Sequence, residues 1–293
     1  MKIALIFPGQ GSQVKGMGKD ILEKYPRGYE IIGEATGCLD YDMEKLIMED
    51  PDNRLNNTHY TQPALYTVCA IYTNYLKEKG INWHVTAGHS LGEYSALYAA
   101  GAYSFRDGLK LVARRGELMG AINDSSLGMA AVIGLSGDDV ASEASQWENI
   151  HIANLNAPEQ TVISGNKEEI AQMGASLKEQ SKGRLIPLRV SGAFHSPYMK
   201  PVEEEFIKAV EECPFNDAAL EVYPNVMASP VKDKKTLKKC LIEQITGQVR
   251  WTETVKSMEK DGLTHHFEAG PGKVLAGLMK KCTSMITPLD IEA

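Results

Sequence analysis

The chain has 293 residues, of which 43% are hydrophobic and 24% charged, and its formal net charge is −7. These proportions are ordinary for a globular protein, and the length allows one large domain or a large domain that carries a small one. The acidic balance excludes a bulk positive field that would draw the chain onto nucleic acid or an anionic membrane.

Predicted strands and helices alternate along the first part of the chain. Residues 3–7 are predicted to form a buried strand, and helices are predicted at 15–25 and 63–78. A further strand ends within the sequence WHVTAGHS, and an alanine-rich helix follows it as far as Gly101. This alternation predicts a mostly parallel sheet with helices on its faces.

The middle of the chain has a different pattern. The predicted elements are, in order, a strand at 128–135, a helix at 137–147, strands at 150–155 and 160–165, a helix at 167–180 and a strand at 184–190. The order β-α-β-β-α-β is that of a ferredoxin-like unit. We therefore predict an α/β protein in which a ferredoxin-like subdomain at 128–190 is inserted into a main domain formed by 1–127 and 191–293.

Cysteine usage indicates a reducing compartment. The five cysteines form an odd set without a C-x-x-C pair, which argues against a disulfide framework or a zinc ribbon. The apolar run IALIF near the start is too short for a signal peptide, and no stretch approaches the roughly 18 apolar residues of a membrane span. We expect a cytoplasmic protein.

The glycine-rich sequence FPGQGSQVKGMG after the first predicted strand can be tested as a phosphate-binding loop. The dinucleotide fingerprint G-x-G-x-x-G starting at Gly9 requires a glycine where Val14 stands. A P-loop starting at Gly11 requires a lysine and a hydroxyl where Met17 and Gly18 stand. Nucleotide binding therefore lacks a mechanism here, and the loop is either a plain tight turn or a part of another site.

The sequence GHSLG at 88–92 matches the G-x-S-x-G nucleophile elbow, in which glycines permit a tight strand-to-helix turn that exposes the serine hydroxyl. The predicted strand before it and the helix after it favour this interpretation over a surface turn without chemistry. A nucleophile at Ser90 needs two N–H groups for its oxyanion. Leu91 would supply one, and Gln10 in the glycine-rich loop would supply the other.

A serine nucleophile also needs a base, and the chain has seven histidines. His195 lies in the sequence SGAFHSPYM, after a predicted strand and before Ser196-Pro197, an N-cap and first helical position. Catalytic side chains often occupy such loops, although a lone histidine is more commonly structural. The side chain of His89, which adjoins the serine, is expected to point away from the serine hydroxyl.

Arg115 lies in the middle of the apolar face of the predicted helix RDGLKLVARRGELMGAI. A buried guanidinium needs an anion because it cannot release its proton. The anion is either a structural carboxylate or a substrate carboxylate that is held bidentately. The residues alone leave both alternatives open.

The sequences FPGQGSQ, TQPALY, AGHSLGEYSAL, RRGELM, SGAFHSPYM and EAGPGKVLAGL occur in this order. As a set they resemble the malonyl-CoA:acyl-carrier-protein transacylase family over nearly the whole chain. The resemblance implies an α/β-hydrolase-like main domain with a ferredoxin-like insertion. It also implies that Ser90 is the nucleophile, His195 its base, Gln10 and Leu91 the oxyanion N–H donors, and Arg115 the group that binds the malonyl carboxylate.

Two further residues receive a role only from this resemblance. Gln244, in IEQITGQVRW, matches the family glutamine that helps orient the histidine in place of an acidic triad member. Phe194 matches the aromatic residue that malonyl-type relatives use to crowd a branched α-carbon. Gln248 stands where relatives often have proline, which leaves the geometry of that loop open.

The implied reaction moves a malonyl group from malonyl-CoA to the phosphopantetheine thiol of an acyl carrier protein, without a permanently bound cofactor or a metal. The sequence DPDNRLNNTHYTQPALY and the short C-terminus look most like the free-standing acyltransferases that serve polyketide synthases in trans, and the fatty-acid-synthesis enzyme is very close. A hydrolase that releases acyl groups from carriers and a non-catalytic carrier-binding module are the alternatives.

The chain has one local basic cluster, whose simplest interpretation is a solvated helix face. The resemblance suggests a second interpretation, because the carrier protein is expected to be acidic and would meet lysines such as these. The cluster consists of Lys232, Lys234, Lys235, Lys238 and Lys239.

Overall fold

The structure is a computed structural model that describes residues 1–122, 124–190 and 192–289. The strands of these residues are β1 (Ile3–Phe7), β2 (Val85–Gly88), β3 (Leu127–Ile133), β4 (Ile150–Ala157), β5 (Gln160–Asn166), β6 (Arg184–Pro187), β7 (Glu221–Tyr223), β8 (His265–Glu268) and β9 (Thr287–Pro288). The α-helices are α1 (Lys19–Lys24), α2 (Gly28–Cys38), α3 (Met43–Glu49), α4 (Thr58–Glu78), α5 (Gly92–Ala99), α6 (Phe105–Gly120), α7 (Gly137–Ala144), α8 (Lys167–Glu179), α9 (Lys200–Glu212), α10 (Lys234–Gln244), α11 (Trp251–Lys260) and α12 (Val274–Cys282). Short 3₁₀ turns lie at Pro51–Asn56 and Pro197–Met199.

The main sheet is parallel and has the strand order β7-β2-β1-β8-β9. Alternate residues of the central strand β1 belong to different cores. Ile3, Leu5 and Phe7 pack into one apolar cluster, whereas Ala4 and Ile6 pack into a second cluster on the opposite face. Both faces are therefore covered, which explains why the whole of β1 is apolar.

The carboxyl ends of the parallel strands bring distant loops together. Phe7 at the end of β1 is in register with Gly88 at the end of β2, and β7 pairs with β2 on the other side. The loops that follow β1, β2 and β7 consequently lie at one edge of the sheet, where ligand sites of open α/β sheets are found.

The second sheet is antiparallel and has the order β4-β5-β3-β6. Helices α7 and α8 pack against it. It has its own core, which includes Val132, Ile163 and Met173. The α/β fold with a parallel sheet and a ferredoxin-like insertion is thus confirmed. The division of the chain into 1–127, 128–190 and 191–293 stays a prediction, and positions 191 and 290–293 lie outside the described residues.

Several predicted elements have different bounds in the structure. The helix predicted at 15–25 is shorter, because Gly16 and Gly18 adopt left-handed φ angles of 77° and 82° and α1 begins only after them. The helix predicted at 63–78 has an additional first turn, which is capped by the side chain of Asn57.

The strand predicted at 184–190 ends at Pro187. The N–H of Leu188 still bonds to Met129 of the neighbouring strand, but the N–H of Val190 bonds back to Leu188. This local turn takes the chain out of the sheet. No helix among residues 1–122, 124–190 and 192–289 is long and apolar enough to cross a membrane.

Candidate active site

The turn between β2 and α5 presents Ser90. The serine has a left-handed φ of 51°, although it is not a glycine. A Cβ atom at Gly88 would lie 1.9 Å from the carbonyl carbon of Gly92, and one at Gly92 would lie 2.1 Å from the carbonyl oxygen of Phe7. Both glycines are therefore required by close backbone approach, and they permit the sharp turn that the G-x-S-x-G sequence predicts.

His195 is in direct contact with the serine hydroxyl. Its Nε2 lies 2.8 Å from Ser90 Oγ, and its Nδ1 lies 2.9 Å from the main-chain oxygen of Gln244 and 3.1 Å from that of Gly247. A carbonyl oxygen only accepts, so Nδ1 carries the proton and Nε2 is left to accept from the serine. This is the arrangement that a general base needs.

Burial keeps His195 neutral. The ring is 4% exposed, and its pKa is lowered to about 3 by desolvation first and by the positive charge of Arg115 second. The residue also has a left-handed φ of 58°. Ser196 precedes the 3₁₀ turn as predicted for an N-cap position, but its hydroxyl donates to the carbonyl oxygen of Ala193 and does not cap the turn.

The loops that carry Gln10 and Leu91 pack backbone against backbone. A Cβ at Gly9 would lie 2.4 Å from the carbonyl oxygen of His89, and the N–H of His89 donates to Phe7 at 3.0 Å. No described residue accepts a hydrogen bond from the main-chain N–H of Gln10 or of Leu91. Among the described residues, both N–H donors are therefore without an acceptor, on two loops that touch through Gly9 and His89.

Arg115 is buried next to Ser90. The residue is 1% exposed, and its Nη2 lies 3.2 Å from Ser90 Oγ and 3.1 Å from Gln244 Oε1, while Nη1 donates to Gln62 Oε1 at 2.9 Å. Burial lowers the pKa of the guanidinium. Its Nε has no hydrogen-bond partner among the described residues, and no described carboxylate forms an ion pair with it. The described side chains that hydrogen-bond to the guanidinium are thus neutral, while the Tyr94 ring faces it at 5.2 Å and the nearby Glu93 favours its charged form.

Gln244 contacts the other site residues through different atoms. Its main-chain oxygen holds the His195 ring, whereas its side-chain Oε1 accepts from Arg115. Its Nε2 donates to the carbonyl oxygen of Ser90 at 3.0 Å and to Glu93 Oε2 at 2.8 Å. The histidine is therefore held by the backbone of the predicted glutamine and not by its amide.

Three residues of the site were not singled out from the sequence. Glu93 is 1% exposed, and desolvation raises its pKa to about 7. Asn225 contacts both sides of the Ser90 turn, and Gln62 holds Arg115. The sequence contained a signal for each of them. Glu93 is an acidic residue in the alanine-rich helix after the serine, Asn225 is a polar residue just after β7, and Gln62 belongs to the TQPALY sequence.

The remaining predicted residues have ordinary surroundings. His89 points away from the serine hydroxyl, as predicted, and its Nε2 lies 2.7 Å from Asn156 Oδ1. Phe194 is 6% exposed and belongs to the main apolar cluster. In the lysine cluster, Lys238 donates to two carbonyl oxygens and Lys239 pairs with Glu243 at 3.6 Å. The lysine cluster is therefore only partly a solvated face.

A cavity of about 410 Å³ leads to His195. Trp147 and His151, which lie after α7 and in β4, line one side of it, and Gly247 and Gln248, in the loop between α10 and α11, line the other. Gln248 is exposed. The main-chain N–H of the next residue, Val249, donates to the oxygen of Ala153, and its main-chain oxygen accepts from the N–H of Leu155, both residues of the small sheet. His195 thus lines a cleft between the small sheet and the loop that joins α10 to α11.

Comparison with known proteins identifies the family. The acyl transferase domain matches residues 4–284. The malonyl CoA-acyl carrier protein transacylase of Bacillus subtilis is 42% identical, with 99% of this chain and 93% of that protein covered. The polyketide biosynthesis malonyl CoA-acyl carrier protein transacylase PksC of the same organism is 40% identical, with 95% and 96% covered.

A solved structure of a type II polyketide synthase acyl-carrier protein in complex with its malonyl-transacylase has the same fold. It superimposes with a TM-score of 0.94 at 34% identity, and the match covers 98% of this chain and 95% of that one. The chain therefore belongs to the acyl transferase domain family, among relatives that are malonyl CoA-acyl carrier protein transacylases.

Proposed function

We propose that this chain transfers a malonyl group from malonyl-CoA to the phosphopantetheine thiol of an acyl carrier protein, in fatty acid or polyketide synthesis. The observation that carries the proposal is that Ser90 Oγ lies between a neutral histidine at 2.8 Å and a buried guanidinium at 3.2 Å. A nucleophile, its base and a carboxylate-binding cation therefore meet at one atom. The names of the relatives supply the malonyl donor and the carrier.

The first half-reaction acylates the serine. His195 Nε2 takes the proton of Ser90 as Oγ attacks the thioester carbonyl, and the negative charge on the carbonyl oxygen is met by the N–H groups of Gln10 and Leu91. When the intermediate collapses, the C–S bond breaks and His195 returns its proton to the sulfur of CoA. The products are the malonyl-serine ester and free CoA thiol.

The second half-reaction repeats these steps in reverse with another thiol. The carrier's phosphopantetheine thiol gives its proton to His195 and attacks the ester carbonyl. The same two N–H groups stabilise the oxyanion, the C–O bond breaks, and Ser90 regains its proton from the histidine. The result is ping-pong kinetics, with CoA released before the carrier reacts.

Arg115 gives the site its preference for malonyl. Burying a guanidinium without a carboxylate partner is unfavourable, and the carboxylate of a malonyl group would offset that penalty through charge-assisted hydrogen bonds. Gln62 and Gln244 orient the guanidinium from two sides. The bound malonyl group would also fill the space beside the ester, which hinders water and favours transfer over hydrolysis. Phe194, next to the histidine, is proposed to disfavour a branched α-carbon.

The proposal needs no resident cofactor or metal, because malonyl-CoA, the carrier's thiol and the protein's own groups supply every atom of the reaction. Among the described residues no group of three His, Cys, Asp or Glu side chains is placed to hold a metal ion. The five cysteines are free thiols, which supports a reducing and hence cytoplasmic setting for the reaction.

Intact mass spectrometry after mixing with malonyl-CoA tests the function. We expect a malonyl adduct that peptide mapping places on Ser90, that is absent in Ser90→Ala, and that is discharged quickly by a holo carrier protein. An adduct on another residue would refute the mechanism. Rapid loss of the adduct as free malonate, with no acceleration by the carrier, would identify a hydrolase instead.

A further inference from the structure

The side chain of Asn225 bridges the turn that carries the nucleophile. Its Nδ2 donates to the carbonyl oxygen of Gly88 at 2.6 Å, and its Oδ1 accepts from the main-chain N–H of Ser90 at 2.7 Å. The residue is 1% exposed and lies just after β7, the neighbour of β2 in the sheet. One amide thus binds the backbone on both sides of the strand-to-helix corner.

The turn needs such support because its conformation is unfavourable. Ser90 has a φ of 51°, in the left-handed region that is sterically unfavourable for a residue with a side chain. Such a conformation persists only where the surroundings enforce it. The bridge from Asn225 fixes one peptide group on either side of His89, and these two contacts set the direction in which the following peptide points.

The bridge also decides which N–H groups face the substrate. The N–H of Ser90 is occupied by Asn225, whereas the N–H of Leu91 has no acceptor among the described residues. An oxyanion donor is effective only when it is aimed before the reaction begins. Asn225 therefore keeps the N–H of Ser90 away from the reacting oxygen and holds that of Leu91 ready.

Asn225 is itself held in place from three directions. Its main-chain N–H donates to Glu93 Oε2 at 2.8 Å, and its carbonyl oxygen accepts from the N–H of Arg250 at 3.1 Å. Gln244 Nε2 lies 3.3 Å from Asn225 Oδ1, which fixes the orientation of the amide. The amide cannot rotate without breaking several buried hydrogen bonds, so its two contacts with the turn are preorganised.

We propose that Asn225 is a positioning residue for acyl transfer, which holds the Ser90 turn so that the Leu91 N–H faces the oxyanion. The proposal rests on the proposed function only for the identity of the acyl group. It requires no contact between Asn225 and the substrate. Two consequences follow. Removal of the amide lowers the reactivity of Ser90, and that reactivity depends specifically on the hydrogen that the amide donates to the oxygen of Gly88.

The first test measures the rate at which Ser90 is labelled by an uncharged alkyl fluorophosphonate. In this reaction Oγ bonds to phosphorus, fluoride leaves and the proton passes to His195, so the labelling rate depends on the turn and the oxyanion donors but not on malonyl recognition. We expect Asn225→Ala to slow labelling about 10²-fold, as misplacement of reacting groups does. Labelling at the rate of the control below would overturn the proposal.

The matched control is Asn74→Ala. Asn74 is a half-buried amide on α4 whose Nδ2 bonds to Ala70 and Tyr98, away from the serine. Asn74→Ala removes the same chemical group as Asn225→Ala. Any loss of labelling rate in Asn225→Ala beyond that in Asn74→Ala is therefore due to the Ser90 turn. Circular dichroism and the thermal unfolding midpoint are compared for both variants.

Asn225→Asp gives a second readout that packing alone would not produce. A carboxylate at this position can accept from Ser90 but has no hydrogen for the oxygen of Gly88, whereas the protonated acid can do both. We expect the labelling rate of Asn225→Asp, relative to the unmodified chain, to rise as the pH falls. A ratio that stays constant while both proteins remain folded would refute the proposal.

The two tests separate this inference from the proposed function. A chain that reacts with the fluorophosphonate but forms no adduct with malonyl-CoA would contradict the proposed substrate and leave the role of Asn225 to be judged by labelling. If Asn225→Ala does not fold, the isosteric Asn225→Asp decides alone, by the direction of its pH dependence.

Discussion

The Nδ1 atom of His195 lies 2.9 Å from the main-chain oxygen of Gln244, while the side chain of the same glutamine reaches Arg115 at 3.1 Å. One residue therefore fixes the base through its backbone and the guanidinium through its amide. Because a neutral carbonyl and not a carboxylate orients the ring, no negative charge raises the pKa of His195, and desolvation dominates it.

The first prediction concerns the acid side of the pH profile for acylation. The pKa of His195 is about 3, so we expect the acylation rate to stay level as the pH falls from neutral to weakly acidic values. A histidine with its ordinary pKa of about 6.5 would lose about 30-fold in rate by pH 5. Rapid mixing with malonyl-CoA, followed by acid quenching and mass spectrometry, measures the rate. The measurement is repeated in Glu93→Gln, because this variant lacks the other group of the site that titrates in this range.

The second prediction concerns stability and Glu93. The pKa of its carboxyl group is raised from 4.5 to about 7 in the folded chain. Between these values the folded protein holds a proton that the unfolded chain has released, so this group stabilises the fold at low pH and the contribution is lost as the pH rises.

Glu93→Gln removes that titration. We expect the variant to gain stability relative to the unmodified chain as the pH rises from about 4.5 to 7, and the difference to become constant at higher pH. Urea unfolding at several pH values measures it. A stability difference that is independent of pH would show that the carboxyl group titrates normally.

The third prediction concerns the preference for malonyl. Arg115→Ala should reduce acylation by malonyl-CoA relative to acetyl-CoA by a factor of about ten to a hundred, because a hydrogen bond to a charged group contributes roughly 1.5–3 kcal/mol. The ratio of the two rates cancels any change in the active fraction.

The neighbouring Arg114 provides the control for that experiment. Its side chain is 38% exposed and pairs with Glu117 and Glu205 on the surface. We expect Arg114→Ala to leave the ratio unchanged. An equal loss of malonyl and acetyl transfer in Arg115→Ala would remove the guanidinium from acyl selection.

The fourth prediction concerns the glycine at the end of β2. A Cβ at Gly88 would lie 1.9 Å from the carbonyl carbon of Gly92, so Gly88→Ala must open the turn. We expect it to abolish acylation and to lower the thermal unfolding midpoint. Gly33→Ala in α2 is the matched control, since nothing lies within 4 Å of its Cβ. It should raise stability by about 1 kcal/mol through helix propensity and leave acylation intact.

Local patterns sufficed for much of this protein. The strands and helices of the first part of the chain and the ferredoxin-like insertion follow from short-range periodicity, because the spacing of apolar residues within each element reflects its own burial. The turn at Ser90 could likewise be predicted, since two glycines, a strand and a helix lie within a few residues of it. The helix bounds that were wrong depended on backbone angles at Gly16 and Gly18 and on the cap from Asn57.

Short-range patterns did not predict which site residues lie close together in the fold. Ser90 and His195 are 105 positions apart, and Gln244 is a further 49 positions from His195. From the residues alone, His195 competed with six other histidines and Arg115 with a structural role. The residues alone made both of them candidates, and resemblance to a family chose between the alternatives, because short-range periodicity contains no information on such distances.

Only the tertiary structure decided which atoms of these residues meet. The histidine is held by the main-chain oxygen of Gln244, and the turn is bridged by Asn225, which no sequence pattern had singled out. The physical reason is the parallel sheet. Its strands end at a common edge, so loops far apart in the chain converge there, and the close packing of that edge selects backbone groups as partners as readily as side chains.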